Sequence, residues 1–154
     1  MTLDGERTKQ IARKYVEDAW NEGNTGRMDD VLTKDQLYHD PTVDGAEGLE
    51  EFKRFIRDYR NAFPDLRYDV EEYIVEGDKA AFWGRVTGTH EGTFMGLEPT
   101  GNEIDIMGIG VVRVEDGKVA ERWANFDLFG MFQQLGIAPS SGTRSRAIRE
   151  RPLL

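Results

Sequence analysis

The chain has 154 residues, 38% of them hydrophobic and 10% aromatic, which suits one globular domain with a core of its own. Its net charge of −9, with six lysines and fourteen arginines that form no basic stripe, excludes a nucleic-acid-binding surface. There is no cysteine, so disulfides and thiolate metal sites are excluded, and a cytoplasmic location is expected. No apolar run reaches the roughly 20 residues of a membrane span, and the charged start MTLDGERTKQ lacks the apolar segment of a secretory leader.

Residues 5–22 read as a helix, with Ile11, Tyr15, Ala19 and Ala12, Val16, Trp20 forming a wide apolar stripe that Gly23 and Asn24 end. A short helix is expected over 26–32, and QLYHDP as a short strand or extended segment closed by Pro41. Leu49, Phe52, Ile56, Tyr59 and Phe63 step by 3, 4, 3 and 4, which predicts a helix over 48–63 that Pro64 terminates. Strands follow: LRYDVEEYIVEG, KAAFWGRVTGTH, EIDIMGIGVVRVEDG and KVAERWANFD, with hairpin turns at Gly77-Asp78 and Glu115-Asp116-Gly117. LFGMFQQLG closes the fold as a short helix or turn. Helices followed by a four-strand meander predict an α+β domain over 1–138, its helices on one face of a curved, mainly antiparallel sheet. The tail 139–154, rich in Ser and Arg, has no apolar period and is expected to be loose or docked on a partner.

Parity assigns the strand faces. In 104–114 the even residues Ile104, Ile106, Gly108, Gly110, Val112 and Val114 carry no charge and are placed toward the helices. So are Phe82, Gly84, Val86, Gly88 and His90. In 119–127 the parity is less clean, because Glu121 and Arg122 fall on opposite faces. Glycines on two covered strands suggest a cavity roofed by Tyr15, Trp20, Phe52 and Phe55. His90 and Asp127, with His39, would be its polar groups. Trp83, Met107, Ile109 and Val111 face outward and predict dimerisation through the outer sheet face.

Asp127, among Phe126, Leu128 and Phe129, would lose hydration and become a stronger base; the same residue fits an N-cap of the closing helix. His90 would donate to a substrate oxygen or hold the loop it opens. His39 and Asp40 fit packing and turn roles beside Pro41. Two histidines and scattered carboxylates have no metal-ligand spacing, and no phosphate loop opens a helix.

Five segments taken together, YHDP, AFPDLRYDVEE, GTHEGTFMGLEPTGNEI, VVRVEDGKVAERW and FDLFGMFQQLG, resemble the SnoaL-like polyketide cyclase family over roughly residues 8–137. The resemblance implies a nuclear transport factor 2-like cone and ring closure by intramolecular aldol condensation, without cofactor or metal. It matches the family's acid/base aspartate to Asp127 and its GxHxG histidine to His90. Family substrate-contact positions fall near Trp20 and Phe55; Tyr15, His39, Phe52, Trp123 and Phe94 complete the candidate wall. The expected partner is a hydrophobic carbonyl compound. Two other readings stand: an ester or epoxide hydrolase, which needs Glu121 or Glu72 to face inward, and a non-catalytic ligand-binding dimer with Asp127 as a cap.

Overall fold

The computed structural model describes residues 3–41 and 47–139. Helix α1 (Leu3–Tyr15) runs into a π-helical turn (Val16–Asn21), then α2 (Thr25–Val31), strand β1 (Leu32–His39) and α3 (Leu49–Ala62). Strands β2 (Arg67–Glu76), β3 (Lys79–Thr89), β4 (Glu103–Glu115) and β5 (Lys118–Phe126) follow, and α4 (Leu128–Leu135) closes the fold. Apart from Pro139, the predicted tail lies outside the described residues.

The five strands form one sheet in the order β1-β5-β4-β3-β2. The predicted meander is its antiparallel part. The short strand or extended segment expected at QLYHDP is the end of a longer one: QLYH closes the eight-residue β1, which joins the meander as a fifth strand and pairs parallel with β5, Tyr38 opposite Arg122 and His39 opposite Trp123. A parallel neighbour needs a long crossover, and the path through α3 and the β2–β4 hairpins supplies it.

The single helix expected over 5–22 is also corrected. From Val16 the backbone winds more widely, with Glu22 N–H donating to the Glu17 carbonyl. Asn24 caps α2, its side chain accepting from Arg27 N at 3.2 Å. The step pattern of α3 holds: Phe52 and Ile56 are fully buried, and Phe63 ends the helix before Pro64. Each such large apolar side chain contributes about 2 kcal/mol on burial.

The covered sheet face matches the parity reading on β3 and β4, where Phe82, Val86, Ile104, Ile106 and Val112 are buried. On β5 the register shifts between Arg113 and Val114, so both Val119 and Ala120 are buried. Beyond that bulge Arg122 faces inward, and Trp123 lies on the outer face with Ile109 and Val111. No helix of the described residues is long and apolar enough to cross a membrane.

The cavity expected above the glycines is largely filled. A Cβ on Gly110 would meet the Phe82 ring at 2.9 Å, and one on Gly108 would meet the Phe126 ring at 2.6 Å. Gly84 is crossed closely by the Asp69 carbonyl, and Gly88 packs on Phe63. These glycines make room for aromatic rings and neighbouring backbone rather than for a ligand.

Candidate functional site

The β3–β4 loop, residues 90–102, folds back onto the end of α3. Glu91 and Gly92 donate their N–H groups to the Ala62 carbonyl at 2.9 and 3.1 Å. Gly92 lies so close to the Asn61 backbone that a side chain would collide with it. Phe94 is thereby buried against Tyr59 and Phe63, with ring centroids at 5.0 and 5.3 Å.

His90 is fully buried at the base of this loop. Its Nδ1 accepts from the Thr100 N–H at 3.1 Å and lies 3.0 Å from the Thr100 hydroxyl. A ring that accepts at Nδ1 carries its proton on Nε2 when neutral, and Nε2 has no hydrogen-bond partner among the described residues. His90 thus ties the two ends of the loop together, and its ring packs on Phe63 at 5.4 Å.

Between that loop, α3 and the start of α4 lies a cavity of about 430 Å³. Phe55, Tyr59, Phe94, Met95 and Leu128 supply its apolar wall, Asp58, Asn61 and Thr93 its polar groups. Asp58 and Tyr59 follow Phe55 at helical spacing, a signal the sequence reading did not use for the site. Burial holds the Tyr59 hydroxyl well above the ordinary tyrosine value, so it stays a protonated donor.

Asp127 directly precedes Leu128. Its carboxylate accepts from Gly130 N at 2.9 Å and caps α4. The expected desolvation is not found: Asp127 is exposed, because Phe126 and Leu128 turn inward while the cap leaves its carboxylate at the surface. His90 and Asp127 are not neighbours either. His90 pairs opposite Asn102 and Asp127 opposite Met107 on β4, which puts them about 16 Å apart along the strand, on opposite sides of it.

The interior holds Tyr15, Trp20 and Phe52, with Phe55 packed against them. Trp20 touches Phe55, Tyr59 and Phe126 at centroid distances of 6.0, 5.9 and 5.4 Å. At the far end Arg122 is 1% exposed. Its Nε and Nη2 donate to Gln36 Oε1 at 3.1 and 2.7 Å, and Nη1 donates to Tyr15 Oη at 2.8 Å. The guanidinium lies 3.6 Å from the Phe52 ring centroid and 4.3 Å from that of Tyr38. The sequence reading left Arg122 out of the site because the β5 bulge, which turns it inward, has no clear signature in KVAERWANFD.

His39 and Trp123 do not join this interior. They stack on each other on the outer face at 5.3 Å, and His39 Nε2 lies 2.8 Å from Glu121, which also pairs with Arg113. These two candidate wall residues are therefore corrected to the outer sheet surface. Glu121 and the exposed Glu72 do not face the interior, so the second acid that a hydrolase would require is not supplied by either.

Helices packed over a curved, open mixed sheet, an aromatic interior and an apolar cavity at one end define an α+β cone of the nuclear transport factor 2-like type. The chain belongs to the SnoaL-like polyketide cyclase family, whose model matches residues 10–135. It is 30% identical to the aklanonic acid methyl ester cyclase DnrD of Streptomyces peucetius, over 73% of this chain and 82% of that protein. TsrD from Streptomyces laurentii superposes with a TM-score of 0.77 at 29% identity, covering 88% of this chain and 99% of TsrD. A Jannaschia sp. CCS1 protein described as SnoaL-like superposes at 0.82 with 23% identity, over 90% of this chain and 98% of that one, and attests the fold.

Proposed function

We propose that this protein is a cofactor-independent acid/base enzyme of the cyclase type, acting on a hydrophobic carbonyl compound held in the cavity between α3, the β3–β4 loop and α4. The observation that carries this reading is the position of Asp127 next to Leu128, a wall residue of that apolar cavity. The similarity to an ester cyclase supports the reaction class.

In this reading the Asp127 carboxylate accepts a proton from a carbon flanked by two carbonyls. The C–H electron pair moves into one carbonyl to give an enolate. The enolate carbon attacks a second carbonyl of the same molecule, forming a C–C bond, and the resulting alkoxide takes the proton back from Asp127. Tyr59, Phe55 and Phe94 hold the substrate and exclude water. His90, remote from Asp127, serves by holding the loop that carries Phe94 and Met95.

The outer sheet face completes the proposal as a homodimer surface. Met107 and Ile109 are 56% and 49% exposed there, beside the half-buried Trp83 and Val111.

A second reading rests on the Asp127 cap: a carboxylate that already accepts a helix N-terminal N–H fits a ligand-binding protein without chemistry. Asp127→Asn separates the two, because asparagine keeps the cap acceptor but cannot take a proton. The readout is proton–deuterium exchange of an aromatic β-keto ester, followed by NMR. Exchange that is lost in Asp127→Asn at unchanged melting temperature supports the enzyme. No exchange with the wild-type protein, or exchange retained in the variant, removes Asp127 as the base.

A further inference from the structure

Arg122 is a permanent cation buried among Tyr15, Gln36, Tyr38 and Phe52, and its hydrogen-bond acceptors are an amide and a phenol rather than a carboxylate. Burying a charge in this way is costly; the ring faces of Phe52 and Tyr38 offset part of that cost, but they do not neutralise the charge. Tyr15 Oη accepts from Arg122 Nη1 and also from Trp20 Nε1 at 2.9 Å. Both its lone pairs are engaged, and its own proton is left for a further acceptor.

Beside these groups is a void of about 10 Å³, lined by Arg122, Tyr15, Trp20, Tyr68, Phe82 and Phe126. That space suits one oxygen atom, and Arg122, Tyr15, Trp20 and Tyr68 bring polar groups to its lining. Trp20 connects this void to the large cavity: it lines the void beside Phe126, and its indole packs on Phe55 and Tyr59, which wall the cavity. Trp20 sits on the π-helical turn, a backbone form often found at functional sites.

We propose that Arg122 and Tyr15 form an anion-recognising end of the ligand site, reached past Trp20, that takes the ionised oxygen of a phenol or enol on a hydrophobic ligand. The inference rests on the cavity assigned above as the entrance, and it narrows the substrate class to aromatic or enolic compounds that carry an acidic hydroxyl at the end remote from the reacting carbon. Asp127 directly follows the end of β5, five residues beyond Arg122, which is about 16 Å along an extended chain.

The probe is β-naphthol, whose neutral and ionised forms differ in absorbance and fluorescence. The full-length wild-type protein is expected to bind the naphtholate about tenfold or more tightly than the naphthol, lowering the apparent pKa of the bound probe by about one unit. Arg122→Gln and Tyr15→Phe are expected to abolish the lowering while neutral naphthol still binds. Tyr15→Phe removes a single oxygen and decides the matter if Arg122→Gln does not fold. An unchanged probe pKa, a lowering that persists in both variants, or no binding at all overturns the proposal. The assay reads binding only, so loss of the Asp127 chemistry leaves its result intact, and the two ideas fail separately.

Discussion

The backbone N–H of Gly130 donates to the carboxylate of Asp127 at 2.9 Å, and a Cβ at position 130 would overlap that same carboxylate. The spacing D-x-x-G in FDLFG is thus a matched pair: the cap reaches the third residue of the turn because that residue has no side chain. Whatever else Asp127 does, its carboxylate is held at the N-terminus of α4 by this contact.

Asp127→Ala is expected to destabilise the protein by about 1 kcal/mol, and Asp127→Asn by only a few tenths, since asparagine is as good an N-cap. Urea unfolding of both variants checks this. Equal losses would mean that the carboxylate charge, and not the cap bond, stabilises α4.

Gly130→Ala introduces a better helix former into α4 yet is expected to displace the Asp127 carboxylate. Proton exchange should then fall as it does in Asp127→Asn. Unaltered exchange would show that the base works in a position other than the capped one.

Gly108→Ala and Gly110→Ala push a methyl group into Phe126 and Phe82. Each is expected to cost about 1–3 kcal/mol through overpacking, read as a lower urea midpoint at unchanged m-value. A neutral outcome would mean that the interior has slack and that the rings shift easily, which would also ease entry to the Arg122 void.

Asp65 provides a pH-dependent tie. Its partial burial pushes the carboxyl up, but bonds from the Thr89 N–H at 2.7 Å and hydroxyl at 2.8 Å outweigh that and hold it below the ordinary carboxylate value. A lowered folded pKa stabilises the protein above the unfolded value of about 4 and loses that contribution as pH falls through the folded one. The stability difference between wild type and Asp65→Asn should therefore be full at neutral pH and shrink in acid below about pH 4. A difference that is flat with pH would rule out this ionisation.

Ile109→Lys places a charge at the centre of the outer apolar face. Light scattering coupled to gel filtration is expected to show a dimer for wild type and a monomer for the variant, at similar melting temperature. A variant that stays dimeric would place the interface elsewhere.

Much of the fold was legible because it depends on local, periodic information. The 3-4-3-4 steps from Leu49 to Phe63 specify α3, the alternation of Ile104, Ile106 and Val112 specifies the covered face of β4, and the turns at Gly77 and Gly117 punctuate the hairpins. The family could be read from motif order for the same reason.

The site was less legible, because it depends on pairings between residues distant in sequence. The parallel strand β1 exists only because β5 accepts it, and LTKDQLYH alone carries a weak strand pattern. A one-residue bulge on β5 decides that Arg122 points inward and Trp123 outward, against a clean alternation. Composition suggested that strand glycines open a cavity; only packing shows Phe82 and Phe126 occupying that space. The sequence by itself determined the helices, the hairpins, the apolar faces and the family, since these follow from spacing along the chain. The tertiary structure alone decided which polar groups meet: it separated His90 from Asp127, left Asp127 at the surface, and buried Arg122 beside Tyr15, because register and ring packing are settled between elements rather than within them.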